Sequence, residues 1–144
     1  MSIKQISVFL ENQAGTLQAM TASLADKGID MRALSLVEAS DFGIVRLIVD
    51  DVYAASNVLK SSGFVHNIAS VLGVCIPDEP GGLNRVLQIL FAAGVNIEYM
   101  YAFLGGNTVD HAYMIFKVAD YKGAAAALRA KGIRLVDQEE ISAL

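Results

Sequence analysis

Two short loops carry residue types that could hold a small anion without a basic side chain. The first reads Asn12-Gln13-Ala14-Gly15 and the second Asp78-Glu79-Pro80-Gly81-Gly82, and apolar residues at helical spacing follow each loop. The first amide groups of a helix have no intrahelical partner, and the helix dipole leaves them partly positive. Because glycine has no Cβ, an anion can approach these amides closely. Both loops are therefore predicted to cradle a carboxylate.

Each loop also begins with a polar side chain that could accept hydrogen bonds from a bound ligand. These side chains are Asn12 and Asp78. Asn and Asp beside a helix are also common as helix caps and turn formers, with no ligand bound. The choice between the two interpretations depends on the wider pattern of the chain.

The two loops belong to a unit that occurs twice. Gly15 and Gly81 are 66 positions apart (81 − 15 = 66), and Val49 and Val118 are 69 apart (118 − 49 = 69). The change of offset predicts an insertion of three residues near Gly105-Gly106-Asn107, where a hairpin turn fits. The offset of 66 also relates Leu17 to Leu83, Leu24 to Leu90, Gly28 to Gly94 and Ile29 to Val95.

Each copy has the same predicted order of elements, βαββαβ. Hydrophobic periodicity predicts strands at 3–10, 30–37, 44–49 and from about 64, with helices at 17–24 and 52–61. In the second copy it predicts strands at 71–76, 96–104, 112–118 and from about 133, with helices at 83–90 and 121–130. This order predicts a tandem α+β protein of two ferredoxin-like units, with antiparallel sheets and helices on one face, divided into domains 1–69 and 70–144.

The stretch 97–104 is apolar on both alternating faces. A strand covered by helices on one side only should have polar residues on the other. We therefore expect the second face to be buried, against another sheet or another chain, with a large monomer core as the alternative. Because units this small bury little surface alone, we favour association and expect a homodimer.

Composition excludes several classes of protein. The chain has 144 residues, a formal net charge of −4 and a pI near 5.0, which disfavours binding to nucleic acid. No apolar run is long enough to predict a membrane span, and the first residues do not resemble a signal peptide. Cys75 is the single cysteine, so neither an intrachain disulfide nor a cysteine zinc site can form, and we expect a cytoplasmic protein without metal or cofactor.

The sequence contains no recognisable catalytic constellation. His66 and His111 are 45 positions apart (111 − 66 = 45), and neither is part of a nucleophile motif. We expect structural roles for both, and an inert buried thiol at Cys75. The same element order also occurs in RNA-binding modules, metal chaperones and acylphosphatases. Basic residues are lacking around Tyr99, Tyr101 and Phe103, which disfavours RNA binding, and a single cysteine excludes a CxxC chaperone.

The loop DEPGGL, residues 78–83, followed by AGVNIEYMYAF, residues 93–103, resembles the ACT domain, a small ligand-binding module that regulates amino-acid metabolism. NQAGTL, residues 12–17, and KGIDMRAL, residues 27–34, form a weaker copy, with Ala14 where the family commonly has proline. The resemblance covers the whole chain as a tandem pair. It implies a non-catalytic regulator that binds a free amino acid between neighbouring ACT units, and it favours the ligand interpretation for at least one loop. The ligand-binding residues it implies are Asn12, Gln13, Ala14, Gly15, Asp30, Met31, Asp78, Glu79, Gly81, Gly82, Asn96 and Ile97.

If each site pairs the loop of one unit with the second-strand start of the other, the two sites differ. One would combine Asn12 with Asn96, and the other Asp78 with Asp30. Two carboxylates in one pocket favour a cationic group, so we expect unequal sites. The alternative function is a structural or regulatory subunit that binds no ligand and assembles with an amino-acid biosynthetic enzyme.

Overall fold

The computed structural model describes residues 2–103 and 110–144, which form two compact units. The first unit comprises Lys4–Ala69 with Ala143. The second comprises Ser70–Ser142 with Leu144 and the start of the chain as far as Ile3. The predicted hairpin turn at Gly105-Gly106-Asn107 lies outside the described residues, as does the end of the strand predicted to reach residue 104.

The first unit is built on an antiparallel sheet in the order β2-β3-β1. The segment leading into β4 lies beside β1, because the amide of Phe9 donates to the carbonyl oxygen of Val65 at 2.9 Å. The elements of this unit are β1 (Ile3–Glu11), α1 (Thr16–Ala25), β2 (Met31–Ala39), β3 (Phe42–Val49), α2 (Val52–Ser61) and the beginning of β4 (His66–Pro77).

The second unit repeats this design with β4 as its first strand. Its elements are the remainder of β4, α3 (Gly82–Ala92), β5 (Ile97–Ala102), β6 (His111–Val118), α4 (Tyr121–Ala130), β7 (Arg134–Val136) and α5 (Gln138–Ala143). The strands lie in the order β5-β6-β4, and β7 pairs with the other edge of β4. The predicted α+β class and the doubled βαββαβ order are therefore confirmed.

The core of each unit lies between its sheet and its two longer helices. In the first unit Ile6, Val8 and Leu10 alternate along β1 and pack with Met20 and Leu24 of α1. In the second, a corresponding cluster joins Val74 and Phe116 of the sheet to Val86, Leu90 and Leu128 of the helices. This pattern explains why helices cover one face of each sheet.

The opposite face of the second sheet also contains buried side chains. Tyr101 is 9% exposed and Tyr113 is 6% exposed, while Met100 packs against the helix-covered core. Within β5, however, only Tyr101 is buried, and Glu98 and Ala102 are exposed, so burial of the whole second face of the stretch 97–104 stays a prediction. The second unit also contains α5, which the sequence did not predict and which includes the fully buried Ile141.

Candidate functional site

The first loop joins β1 to α1 through a left-handed glycine. Gly15 has φ 90°, a conformation that glycine adopts without strain, and α1 begins at the next residue. The amide of Asn12 donates to the carbonyl oxygen of Asp41 at 3.0 Å, which ties the loop to the β2–β3 hairpin. The hydroxyl of Thr16 donates to the carbonyl oxygens of Glu11 at 2.8 Å and Gln13 at 3.0 Å. Hydrogen bonds to backbone carbonyl oxygens thus hold the loop in place.

The second loop has the same construction around Gly81, which has φ 87°. The amide of Asp78 donates to the carbonyl oxygen of Asp110 at 2.8 Å, matching the contact that Asn12 makes in the first unit. Gly82 is buried, and a Cβ at this position would overlap the carbonyl oxygen of Pro77. The two consecutive glycines are therefore required for different reasons. Gly81 is required by its backbone angle, and Gly82 by its close packing against Pro77.

The helices fall into two groups at their N-termini. Asp51, Asp120 and Asp137 cap α2, α4 and α5, each accepting a hydrogen bond from an amide in the first turn at 2.9–3.0 Å. In the described part of the chain, α1 and α3 instead have Gly15 and Gly81 at the N-cap position, with no side-chain cap. The two helices whose loops are predicted to bind a carboxylate are thus the two that lack a cap.

The remaining predicted ligand residues do not meet the loop of their own unit. Glu11 at the loop pairs with Phe42, whereas Met31 at the start of β2 pairs with Val49, seven residues farther along β3 (49 − 42 = 7). At about 3.4 Å per residue this separation is roughly 24 Å. The second unit has the same spacing, from the Pro77–His111 pair to the Ile97–Val118 pair. Asp30 and Asn96 therefore lie at the opposite end of their sheet from the loop.

Several of these residues have partners within their own unit. The carboxylate of Asp30 contacts the guanidinium of Arg32 at 2.7 Å. The backbone amide of Asp30 donates to Asp50 Oδ1 at 3.1 Å. Met31 and Ile97 pack against the two hydrophobic cores. Asn96 is exposed. The carboxylate of Asp30 is therefore already balanced by a positive charge.

A crevice of about 490 Å³ lies beside the first loop. The pairing of Phe42 with Glu11 and of Phe9 with Val65 brings three elements together around it. Sequence reasoning missed most of this lining, because its members are far apart in the chain. The lining residues are Phe9, Leu10, Glu11, Thr16, Phe42, Gly63, Phe64 and Val65.

A smaller crevice of about 280 Å³ occupies the corresponding place in the second unit. Four of its eight described lining residues are arginine, lysine or histidine. The lining residues are Cys75, Pro77, Arg85, His111, Lys131, Gly132, Ile133 and Arg134. The repeat offsets of 66 and 69 are the signal that could have matched the two crevices in advance.

Arg134 organises the polar side of the second crevice. It forms a two-pronged ion pair with Glu140 of α5, at 2.8 and 2.9 Å, and donates to the hydroxyl of Tyr113 at 3.3 Å. The hydrogen bond to Glu140 raises the pKa of Arg134. Burial raises the pKa of the nearby Cys75 thiol, an effect that Arg134 partly opposes. The thiol is therefore held in its unreactive protonated form at neutral pH.

His66 makes hydrogen bonds through both ring nitrogens. Nδ1 lies 3.1 Å from the carbonyl oxygen of Phe64, and Nε2 lies 2.8 Å from the hydroxyl of Ser56. Since a carbonyl can only accept, Nδ1 carries the proton and Nε2 accepts from Ser56. These contacts join α2 to β4, which fits the structural role expected for this histidine.

Within residues 2–103 and 110–144, no group of three or more His, Cys, Asp or Glu side chains could hold a metal ion. None of the helices formed by those residues has the length and apolar character needed to span a membrane.

Comparison with known proteins gives one family match and several structural matches. The family model of an ACT domain pair matches residues 1–144. Protein BT0572 from Bacteroides thetaiotaomicron is 38% identical, with a TM-score of 0.92 over 100% of this chain and 98% of that one. The regulatory subunits of aspartate kinase from Thermus thermophilus and Thermus flavus are 22% and 20% identical, with TM-scores of 0.67 and 0.63. These matches cover 90% of both chains and 88% of both chains, respectively. No curated protein matches the chain.

Proposed function

Because the chain belongs to the ACT domain family, as a pair of ACT domains, we propose that it is a non-catalytic regulatory protein that binds a free amino acid. The observation that supports this function is the absence of a side-chain cap on α1 and α3 in the described part of the chain, where Gly15 and Gly81 precede the helices. A ligand carboxylate would occupy the place that an aspartate side chain takes at α2, α4 and α5.

The proposed mechanism is differential binding. A ligand that binds one arrangement of ACT units more tightly than another shifts the population toward it, and a partner protein recognises the favoured arrangement. We propose that the protein acts as a homodimer in the cytoplasm and that its partner is an enzyme or regulator of amino-acid metabolism. The fold it shares with the regulatory subunits of two aspartate kinases supports this class of partner.

The predicted pairing of Asn12 with Asn96, and of Asp78 with Asp30, remains part of the proposal. The contact between Asp30 and Arg32 modifies its electrostatics, because Arg32 already balances one of the two carboxylates. A site that contained Asp78 and Asp30 would therefore repel a ligand carboxylate less strongly than two unpaired aspartates. We still expect the two sites to differ in affinity.

Exposed aromatic side chains favour a second candidate function, an assembly subunit that binds no ligand. Phe91 on α3 is 85% exposed and Tyr53 on α2 is 77% exposed, although large aromatic side chains are usually mostly buried in a folded protein. Aromatic residues are enriched at protein interfaces. Such a subunit would use these helix surfaces to bind a biosynthetic enzyme while its loops stay empty.

A thermal-shift screen against the twenty amino acids distinguishes the two functions. A ligand that binds only the native state raises the midpoint temperature of unfolding. At a ligand concentration of a hundred times Kd, it adds about 2.7 kcal/mol to the free energy of unfolding. A selective shift with one or a few amino acids supports the sensor. A flat profile with all twenty, in protein that unfolds cooperatively, contradicts the sensor and leaves the assembly subunit.

A further inference from the structure

The two crevices lie at corresponding positions of the repeat, yet their side chains differ in chemistry. Phe9 and Glu11 of the first crevice correspond to Cys75 and Pro77 of the second at the offset of 66. Phe42, Phe64 and Val65 correspond to His111, Ile133 and Arg134 at the offset of 69. One backbone design thus presents an aromatic surface in the first unit and a basic surface in the second.

The first crevice has the size and lining of a small-molecule pocket. Its volume of about 490 Å³ lies within the range of roughly 300–1,000 Å³ that such pockets occupy. Phe9, Phe42 and Phe64 supply ring surface, and the apolar side chains at its mouth are solvated, with Phe42 43% and Val65 69% exposed. Covering these side chains with an apolar ligand would remove them from water, which is favourable.

The charge of the first crevice favours a cation. Among the described residues that line it, Glu11 is the single ionisable side chain. The hydroxyl of Thr16 already donates to two carbonyl oxygens, so the Glu11 carboxylate is the strongest hydrogen-bond acceptor among the side chains of this lining. The phenylalanine ring faces add an attraction for a positive charge. The second crevice has Arg85, Lys131 and Arg134 but no carboxylate among the lining residues that the structure describes, so it offers the same group no acceptor of this kind, although Arg85 and Arg134 are paired with Glu79 and Glu140.

We infer that the crevice of the first unit binds primary amines with an apolar or aromatic side chain, through the three phenylalanine rings and the carboxylate of Glu11. This inference rests on the proposed function and deepens it, because it assigns the ligand class that an amino-acid sensor of this build would select. Phenylalanine and the larger aliphatic amino acids belong to that class.

Calorimetric titration of the full chain tests the inference with probes that separate ring, amine and carboxylate. The probes are L-phenylalanine, phenethylamine, 3-phenylpropionate and L-aspartate. Phenethylamine and 3-phenylpropionate share a ring but have opposite charges. We expect phenylalanine and phenethylamine to bind, and 3-phenylpropionate to bind about fivefold more weakly, since an exposed ion pair contributes up to ~1 kcal/mol.

Two substitutions locate the binding. Val65→Arg introduces the side chain found at the corresponding position of the second crevice, and we expect it to weaken phenethylamine binding by about tenfold or more through repulsion and loss of apolar surface. Glu11→Gln removes the carboxylate and should weaken it by about threefold. The matched controls are Ile68→Arg and Glu38→Gln, exposed positions of the same unit that do not line the crevice, and both should leave binding unchanged.

The outcomes separate this inference from the proposed function. Binding of L-aspartate or another polar amino acid, with phenethylamine inert and Val65→Arg without effect, overturns the inference and leaves the sensor standing. Binding of phenethylamine that Val65→Arg weakens, with no amino acid bound, supports the crevice and contradicts the sensor. Equal weakening by Val65→Arg and Ile68→Arg in folded protein places the amine elsewhere and overturns the inference.

Discussion

The hydroxyl of Thr16 donates to the carbonyl oxygen of Glu11 at 2.8 Å, and this contact has a counterpart without a side chain in the second unit. The corresponding residues there are Gly82 and Pro77, at the same offset of 66 (82 − 16 = 66 and 77 − 11 = 66). Gly82 is buried so closely against the Pro77 carbonyl oxygen that a Cβ would overlap it. The first turn of the helix is therefore tied to the end of the preceding strand by a hydrogen bond in one unit and by direct backbone packing in the other.

Gly82→Ala is expected to destabilise the protein by about 1–3 kcal/mol, the usual range for overpacking. The neighbour that would have to move is backbone, which cannot rotate away as a side chain can. Urea unfolding of the full chain measures the effect. Asn84→Ala, at an exposed position of the same helix, is the matched control and should change stability by less than about 0.5 kcal/mol. A neutral Gly82→Ala would show that the second loop shifts easily and is not held as described.

Local sequence patterns account for the elements that were predicted well. They do not predict the crevice, whose residues come from distant parts of the chain. Helix α2 extends over Val52–Ser61 as predicted, because Asp51 caps its start and its apolar residues recur at helical spacing. Helix α5 has six residues with one buried side chain, Ile141, which is too short a pattern to detect. The crevice brings Phe9, Phe42 and Phe64 together through strand pairing, which depends on tertiary register and is not encoded in any local window.

Gly81→Asp is expected to abolish the thermal shift that an amino acid produces at the second loop. The introduced carboxylate would lie at the helix N-terminus and compete with the ligand carboxylate for the same amides. Gly94→Asp is the control, because Gly94 is also left-handed, with φ 72° and open space around it, but ends α3 instead of preceding it. Both substitutions should lower stability by about 1–2 kcal/mol from backbone strain.

Differential scanning fluorimetry with the responding amino acid distinguishes the two variants. We expect a retained shift in Gly94→Asp and none in Gly81→Asp. If Gly81→Asp keeps the full shift, the ligand binds at the first loop or at neither glycine loop. The same substitution at Gly15, which has φ 90°, decides between these two cases. If Gly15→Asp also retains the shift, the glycine loops do not bind the ligand.

The unequal-site hypothesis is tested by Asp78→Asn and Asp30→Asn. Asp30 is paired with Arg32 at 2.7 Å, so its neutralisation also breaks an ion pair. We expect both Asp78→Asn and Asp30→Asn to weaken binding of a cationic amino acid several-fold, because each removes one negative charge, and Asp30→Asn also to lower stability by up to ~1 kcal/mol. Calorimetry against lysine, histidine and leucine in both variants measures the change in affinity. Unchanged affinity and stoichiometry across all three would contradict the hypothesis.

Cys75 is expected to make the protein less stable in alkaline solution. Burial raises the pKa of its thiol in the folded chain, so above the ordinary cysteine pKa of about 8.5 the unfolded chain loses its proton first. Stability is therefore fully present below that pH and falls as pH rises, by up to about 1.4 kcal/mol per pH unit, until the folded thiol also ionises. Urea unfolding at several values between about pH 7 and 10 measures this slope. The slope should be shallower in Cys75→Ala, whereas Tyr113 and Tyr121, whose pKa values burial also raises, act only above about pH 10 in both proteins. Identical slopes for wild type and Cys75→Ala would mean that the thiol ionises as readily in the folded chain as in the unfolded one.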